Sequence, residues 1–458
     1  MTVSSVKKAW FRDGNPLTWN GGAEMLSNRT VACALAIVLV VAMAPVIIDA
    51  QGAVQLKYYY PVGVSGPLNK LMTGMVKDFN GAHPDIKVEP VFAGNYVEAM
   101  AKAMTGVMGG NPPDVAVLDT PELFSLLDRD AIIPLDDMIA QSGGKAWLDD
   151  FYSAFLLNAR AKGHVWSIPW QRSTPIFYYN KDLFQRAGLD PTKPPKNWTE
   201  LVAYAQKLTI RDSGGQVKQW GVQIPAVDTS PWIIQGFIME AGGDFADPNG
   251  KWVKFNSPQA VRALQFILDL QNKYKVHPPG ASSEAFWDQT SQDFIQQKVA
   301  MMYLSTGAMT FIRKNATFQW GAAFMPADKR YGAPTGGGSF YVFKKIPPDH
   351  TKAAWTFIRW MTEPATASRW TIGTGYVPIR KSELSLPAFR DYLQQAPQAL
   401  TATEQLRYAG EQMTVHEVDR VGLTLVTAVQ AAQTGRLSAK AALDQAQREA
   451  TAILSQYK

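Results

Sequence analysis

The chain alternates between short apolar runs and longer stretches whose apolar residues fall three and four apart. An apolar strand is predicted over Gln55–Tyr60. The helix after it carries one apolar stripe: Leu68, Leu71, Met72, Met75, Val76 and Phe79. The alternating run Ile86–Val91, a helix over Val97–Met108 and the apolar strand Val115–Leu118 follow. This β-α-β-α-β order predicts an α/β fold with a parallel sheet and right-handed crossovers.

The stretch from Pro169 to Asp182 combines polar, aromatic and strand-forming residues. Its polar start is followed by a β-rich run, and Asn180 is a helix N-cap before a helix that ends at Gly188. Because a solvated loop leading into a buried strand commonly carries ligand contacts in α/β proteins, this stretch is a candidate binding segment.

Two glycine-rich segments interrupt the later part of the chain. The segment Gly336–Ser339 lies between two runs that favour strands, and Gly373–Pro378 follows a helix predicted over Thr351–Thr362 and stopped by Pro364. An earlier helix is predicted over Asp150–Asn158. The glycine-rich segments are predicted places for the chain to cross between two lobes.

Length and composition favour a globular protein of more than one domain. The chain has 458 residues, of which 46% are hydrophobic and 18% charged. Its net charge is +6, but no block of five or six like charges occurs, so we expect no nucleic-acid partner. The 14 Trp and 16 Tyr suggest that part of the aromatic content stacks on a carbohydrate or polyol.

The N-terminal segment has the pattern of an export signal. The apolar run Val31–Ile48 follows Arg29, and small residues suited to cleavage come just before Val54. Met25 is a candidate for the true start. The alternative is an uncleaved anchor, since about 18 apolar residues approach the length that spans a membrane. Both interpretations place the rest of the chain outside the cytoplasm, in the periplasm.

Motifs for catalysis or metal binding are absent from the sequence. There is no HExxH, GxSxG, P-loop or GxGxxG pattern, and the five histidines share no metal-ligand spacing. The single cysteine, Cys33, excludes a disulfide framework and a cysteine-based zinc site. Asp119 and Glu122 would need further carboxylates at defined distances to form a glycosidase pair. We therefore expect no catalytic residue, metal or cofactor, with a secreted hydrolase as the distant alternative.

A series of short stretches, in a fixed order over most of the chain, resembles a known family. From about Val54 onward the chain is similar to the extracellular solute-binding proteins of ABC importers, in the maltose-binding-protein-like group. The stretches that carry the resemblance are Gly94–Tyr96, Ser173–Pro175, Tyr178–Asp182, Ala187–Pro191, Pro194–Trp198, Ala300–Met301, Ser305–Gly307, Gly336–Gly337, Thr374–Tyr376 and Thr434–Gly435.

The resemblance implies a class II periplasmic binding fold, with two lobes that clamp a ligand between them and close as a signal to the membrane permease. Each lobe is expected to have a mainly parallel sheet flanked by helices. The implied division is a signal peptide over 1–53, an N-terminal lobe of 54–172 and 338–374, and a C-terminal lobe of 173–337 and 375–458. The implied partners are a small-molecule ligand and the permease subunits of the inner membrane, and the protein is expected to be a monomer.

The resemblance also implies particular ligand contacts. The positions that match hydroxyl-bearing contacts are Tyr96, Ser173, Ser305 and Tyr376, and Gly337 matches a backbone amide contact. An acidic contact falls in register at Thr120, with Asp119 beside it, and Asp119 is the residue expected to bind a ligand hydroxyl. Trp232 is expected to form a stacking wall, although both Trp232 and Tyr376 could instead serve only in packing.

One departure from the pattern concerns the ligand. The implied ligand is sn-glycerol 3-phosphate or a glycerophosphodiester, but the phosphate-binding arginine of that pattern falls near Thr414. Arg172 could supply the missing charge, or it could pair with Asp119 in a site for a neutral oligosaccharide, sugar or polyol. His416 and Arg420 are further candidate cations.

Overall fold

The computed structural model describes residues 52–61, 68–225, 231–279 and 286–458. The predicted export signal lies outside these residues, except for its last two positions, Gly52 and Ala53. Within the described ranges, no helix combines the length and apolar content needed to cross a membrane.

Strands and helices alternate through the described chain. The strands are β1 Val54–Tyr60, β2 Ile86–Phe92, β3 Val115–Asp119, β4 Arg160–Ala161, β5 His164–Val165, β6 Ile168–Ser173, β7 Pro175–Asn180, β8 Ile210–Arg211, β9 Val217–Gln223, β10 Val299–Ser305, β11 Trp320–Ala323, β12 Ala333–Pro334, β13 Gly336–Val342 and β14 Ala409–Gly410. The helices are α1 Leu68–Ala82, α2 Tyr96–Met108, α3 Leu123–Asp128, α4 Asp136–Ala140, α5 Gly144–Asp149, α6 Ser153–Leu156, α7 Lys181–Arg186, α8 Trp198–Leu208, α9 Trp232–Glu240, α10 Pro258–Asn272, α11 Phe286–Ile295, α12 Met309–Asn315, α13 Pro348–Met361, α14 Pro364–Thr374, α15 Pro387–Gln395, α16 Gln398–Gln405, α17 Val418–Gln433 and α18 Ala439–Leu454.

The long strands form two five-stranded sheets. The first has the order β2-β1-β3-β13-β6 and the second the order β11-β7-β10-β9-β8. We call the parts of the chain built on these sheets the first and the second lobe. Because β6 ends at Ser173 and β7 begins at Pro175, a single residue separates the last strand of one sheet from a central strand of the other.

The expectation of mainly parallel sheets is wrong, because both sheets are mixed. The parallel pairs are β1–β2, β1–β3 and β9–β10, and the other pairs within the two sheets are antiparallel. The β-α-β-α-β pattern near the N-terminus does form the parallel part. Strands β6 and β13 enter that sheet from distant parts of the chain, and local periodicity carries no information on their direction.

Each sheet is covered by helices that bury apolar side chains on it. In the first lobe, Phe357 of α13 packs against Tyr58 and against Phe79 of α1. The ring centroids are 5.0 Å apart in both pairs. The opposite face of that sheet packs Leu118 and Tyr341 against α2 and α3. The second lobe buries Phe237 of α9 and Leu264 of α10 in one cluster. The two lobes therefore have separate hydrophobic cores.

Three local predictions are corrected by the structure. Pro364 does end the helix predicted before it, but it is also the first residue of α14, because proline is well tolerated in the first turn of a helix. Gly336–Ser339 does not separate two strands and instead forms the start of β13. The helix predicted over Asp150–Asn158 is reduced to α6 and a 3-10 turn at Leu157–Ala159, since Phe151 bridges to Arg380.

Candidate ligand-binding site

The predicted crossing points meet in space. Ser173 at the end of β6 pairs with Gly336 at the start of β13, and Arg172 pairs with Gly337. The backbone N–H of Val377 donates to the carbonyl of Arg172 over 2.9 Å. The segment Gly373–Pro378 therefore lies beside the two strands, and the site is built where all three crossings converge.

Gly337 occupies a position that only glycine accommodates well. Its φ is +85°, and a Cβ placed there would lie 1.8 Å from the carbonyl oxygen of Gln171. The β6–β13 register shifts between Gly337 and Ser339, which marks a bulge. The glycine thus lets β13 approach β6 closely and directs the carbonyl of Gly337 toward the guanidinium of Arg172.

Arg172 is a fully buried cation with neutral partners. Its Nη1 donates to the carbonyl of Gly337 over 3.2 Å, and its Nη2 donates to Thr335 Oγ1 over 3.1 Å. The guanidinium lies 5.1 Å from the ring centre of Phe155, and Nε has no partner among the described residues. Burial lowers the pKa of Arg172 to about 10, although the nearby Asp119 favours the charged form. Arg172 therefore remains a cation at neutral pH.

Tyr96 and Asp119 of the first lobe form one wall of the site, together with Tyr376, which follows the crossing at Gly375. Tyr96 begins α2, and its hydroxyl donates to Gln171 Oε1 over 3.2 Å. The Tyr376 hydroxyl interacts with that of Tyr96, and burial raises the pKa of both phenols. Asp119 ends β3, and burial raises the pKa of its carboxyl to about 7, against the opposing effects of Arg172 and of the Thr120 backbone N–H. Phenol, carboxyl and guanidinium groups are thus within electrostatic range of one another.

A buried polar network connects this wall to the second lobe. Asn158 is its centre: its Oδ1 accepts from Thr335 Oγ1 over 3.1 Å, and its Nδ2 donates to Thr414 Oγ1 over 2.7 Å. The hydroxyl of Thr120 donates to Gln412 Oε1 over 3.3 Å. The position expected to hold an arginine, Thr414, is therefore at the site and bonded to a neutral amide.

Trp232 and Ser305 lie on the second-lobe side of the crossings. The indole Nε1 of Trp232 donates to the carbonyl of Thr335 over 2.8 Å, and a Cβ on Gly336 would meet the indole at 2.6 Å. Ser305 uses its hydroxyl to accept from the backbone N–H of Gly307 over 3.1 Å. Trp232 is therefore beside the crossings, whereas the hydroxyl of Ser305 already caps a 3-10 turn.

Most of the expected ligand contacts are brought together. The residues that converge at the crossings are Tyr96, Asp119, Thr120, Arg172, Ser173, Trp232, Gly337 and Tyr376. Ser305 approaches through its neighbour, since the Thr174 backbone N–H donates to Thr306 Oγ1 over 3.4 Å. Whether each of these residues contacts a ligand remains a prediction.

The further candidate cations do not join the site. His416 bonds Asp128 over 2.7 Å and stacks on Tyr457, and the exposed side chain of Arg420 pairs with Glu417 over 3.4 Å. No group of three or more metal-ligating side chains is found within the described ranges.

Sequence inspection missed Asn158, Thr335, Gln412 and the role of Gln171. Gln171 differs from the other three because it lies in the stretch from Pro169 to Asp182, which its composition marked as a candidate binding segment. The other three are isolated polar residues in segments with no motif, and only the buried hydrogen bonds identify them.

The two-lobed arrangement with a polar site at the crossings defines a solute-binding protein. A family model for bacterial extracellular solute-binding proteins matches residues 74–399, and the chain belongs to this family. The match also agrees with the resemblance inferred from the short motifs.

The chain is also similar to individual, named proteins. The chain is 27% identical, over 94% of its length and 96% of the relative, to the sn-glycerol-3-phosphate-binding periplasmic protein UgpB of Pectobacterium atrosepticum. It is 28% identical to UgpB of Escherichia coli K12, over 78% of the chain and 82% of the relative.

Solved structures share the fold. UgpB of Mycobacterium tuberculosis in complex with glycerophosphocholine matches with a TM-score of 0.76 and 24% identity, over 89% of this chain and 100% of that chain. Maltose-bound MalE3 of T. maritima matches with a TM-score of 0.74 and 23% identity, over 87% and 99%. These neighbours confirm the predicted two-lobed periplasmic binding fold.

Proposed function

We propose that this chain is the periplasmic receptor of an ABC importer and that it captures sn-glycerol 3-phosphate or a glycerophosphodiester. The observation that supports this ligand class is the fully buried guanidinium of Arg172. Among the described residues, its hydrogen bonds go only to neutral oxygens and its Nε has no partner. The names of the curated relatives support the same ligand class.

The physical argument starts from the cost of burying a charge. A buried cation is costly unless an anion and further hydrogen bonds compensate it. The guanidinium of Arg172 has free N–H groups in a planar fork, which suits the oxygens of a phosphate. A bound phosphate would provide the missing counter-charge at the point where the two lobes meet.

A phosphodiester suits the acidic neighbours of this site better than a monoester does. Asp119 and Glu122 lie close enough to influence one another electrostatically, and burial raises the pKa of Glu122 to about 8. A diester carries one negative charge, whereas a monoester approaches two at neutral pH. Repulsion from the fraction of these carboxyls that is ionised is therefore weaker for a glycerophosphodiester.

A neutral sugar or polyol is the second candidate, and Thr414 favours it. No cation occupies the position at which the glycerol-phosphate pattern has its arginine. In that case Asp119 would be the counter-charge of Arg172, and tyrosine hydroxyls and amides would bind the sugar. Structural neighbours with bound maltose are consistent with this alternative.

The remaining parts of the proposal concern location and partners. We propose export through the N-terminal segment, a non-enzymatic and monomeric receptor, and closure of two lobes onto the ligand as the signal to the permease. The lobe boundaries remain 54–172 with 338–374 and 173–337 with 375–458. No nucleic-acid partner and no catalytic role belong to this proposal, and turnover of a chromogenic glycoside or phosphate ester would contradict it.

The test is calorimetric titration of the purified protein with glycerol 3-phosphate, glycerophosphocholine, maltose and trehalose. We expect saturable binding of a phosphate compound, weakened about 100-fold in Arg172→Gln because a hydrogen-bonded ion pair is lost. Arg172→Lys is the matched variant: it keeps the charge without the fork and should bind with intermediate affinity. Binding of maltose or trehalose alone would replace the proposed ligand with the neutral alternative.

A further inference from the structure

The segment Glu411–Val415 presents alternate side chains to the two lobes. Its odd positions are anchored in the second lobe: Gln235 Nε2 donates to the Glu411 carbonyl over 2.8 Å, and the Met413 N–H donates to Gln235 Oε1 over 3.0 Å. Met413 and Val415 are part of the second-lobe core. The even positions make contacts on the other side: Gln412 accepts from Thr120, and Thr414 accepts from Asn158.

The backbone of Gln412 is held on both sides by one residue. Its N–H donates to Asn158 Oδ1 over 3.2 Å, and its carbonyl accepts from Asn158 Nδ2 over 2.8 Å. Asn158 in turn is tied to Thr335 and Thr414. The root of the Gln412 side chain is therefore fixed before any ligand binds, as a pre-organised contact requires.

The side chains of Gln412 and Thr414 differ in whether all of their polar atoms have a hydrogen-bond partner. Thr414 accepts from Asn158 and donates to the Gln412 carbonyl over 3.0 Å, so its hydroxyl is satisfied. The amide of Gln412 is 6% exposed and uses only Oε1, which accepts from Thr120. Its Nε2 has no partner within the part of the chain that the structure describes.

Thr120, which bonds Gln412, directly follows a residue with an unused acceptor. Asp119 directly precedes Thr120 and accepts the Thr120 N–H with Oδ1 over 3.0 Å, while no described residue donates to its Oδ2. Since Thr120 contacts both Asp119 and Gln412, the carboxyl of one lobe and the amide of the other meet at the same residue.

We propose that Gln412 is a specificity-determining residue that binds, together with Asp119, two adjacent hydroxyl groups of the ligand. A carboxylate accepts and a primary amide donates. One hydroxyl would donate to Asp119 and its neighbour would accept from Gln412 Nε2, which selects a vicinal diol such as the free end of a glycerol phosphate. This inference rests on the proposed function for the identity of the ligand, but not for the role of the amide.

The experiment is a double-mutant-type cycle, in which one side chain of the protein and one hydroxyl of the ligand are removed separately and together. Wild type and Gln412→Met are titrated calorimetrically with glycerol 3-phosphate and with 3-hydroxypropyl phosphate, which lacks the middle hydroxyl. We expect wild type to prefer the diol by about tenfold or more, the value of one or two hydrogen bonds, and Gln412→Met to lose most of that preference.

Two further variants keep the cycle interpretable. Thr414→Val removes a hydroxyl of the same network that is already satisfied, so it should weaken both ligands equally and retain the preference. Gln412→Glu replaces the donor with an acceptor and should weaken the diol more than the mono-alcohol. Thermal unfolding of each variant checks that the fold is intact.

The outcomes separate the two proposals. Wild-type preference retained in Gln412→Met would overturn the role of Gln412 and leave the proposed function standing. If wild type binds a neutral sugar and no phosphate ester, the proposed function fails, and the same cycle with that sugar and its deoxy analogue decides Gln412 separately. Absence of binding to every phosphate ester and sugar would overturn both.

Discussion

Two buried arginines in this protein have opposite surroundings. Arg380, after the crossing at Gly375, donates to Asp150 over 2.7 Å and lies over the rings of Trp147 and Phe151. Arg172 also lies over an aromatic ring, that of Phe155, but bonds only neutral oxygens. Arg380 thus has a counter-ion that it hydrogen-bonds, whereas within the described ranges Arg172 has only the longer-range influence of Asp119. The comparison indicates that Arg380 serves the fold and Arg172 serves binding.

The largest expected effect on the free energy of unfolding comes from removing the counter-ion of Arg380. In Asp150→Asn, Arg380 loses its counter-ion and Ser382 loses a charged acceptor, so the free energy of unfolding should fall by about 2–3 kcal/mol. Chemical denaturation followed by tryptophan fluorescence measures this change. Arg420→Ala is the matched control, because its pair with Glu417 is exposed, and it should stay within about 0.5 kcal/mol of wild type. Equal losses in the two variants would contradict the comparison.

A pH dependence of comparable size is expected beside Arg380. Glu383 is fully buried and accepts the N–H groups of Ile379 and Arg380, yet burial raises its pKa to about 8. A carboxyl with a raised pKa binds more protons in the folded than in the unfolded state. Its contribution is therefore fully present below the unfolded pKa, about 4.3, and is lost as the pH rises toward 8.

Denaturation curves across this pH window provide the test. The free energy of unfolding of the wild type should fall by about 1 kcal/mol per pH unit, and Glu383→Gln should remove this decline. Parallel curves for the two proteins from pH 5 to pH 8 would show that Glu383 does not titrate in this way.

The smallest effect is expected at the unsatisfied arginine. Arg172→Met removes a buried charge that lacks a counter-ion and keeps an apolar side chain against Phe155. Since such replacements are often neutral or stabilising, the free energy of unfolding without ligand should stay within about 1 kcal/mol of wild type. Thermal unfolding without and with glycerophosphocholine measures the stability of the variant and its binding of the ligand. In Arg172→Met the stabilisation by the ligand should disappear. A loss as large as that of Asp150→Asn would assign Arg172 a structural role.

Much of the local structure could be predicted from the chain alone. The apolar stripe of α1 and the cap at Asn180 are confirmed, because each depends on residues within one or two turns. The direction of β13 could not be predicted in this way, since it depends on which distant strands are adjacent.

The candidate site divides along the same line. Motif order over the whole chain was sufficient to select Tyr96, Gly337 and Tyr376, whereas Asp119 and Arg172 were selected for their charge beside matched positions; the structure brings all five to the crossings. Asn158, Thr335 and Gln412 lie about 80 to 250 residues apart in sequence and have no local pattern. Their role depends on burial and on hydrogen bonds between the lobes.

The sequence by itself determined the family, the alternation of helices and strands, and the segments through which the chain passes between lobes. The family follows from the resemblance carried by the order of short motifs, and the other features follow from short-range periodicity, capping and glycine placement. Only the tertiary structure decided which polar atoms are satisfied by the protein and which are left for a ligand. Arg172 and Arg380 are the same residue type, and their difference arises because Asp150, 230 positions from Arg380 in sequence, folds against one of them, whereas no carboxylate of the described chain bonds to the other.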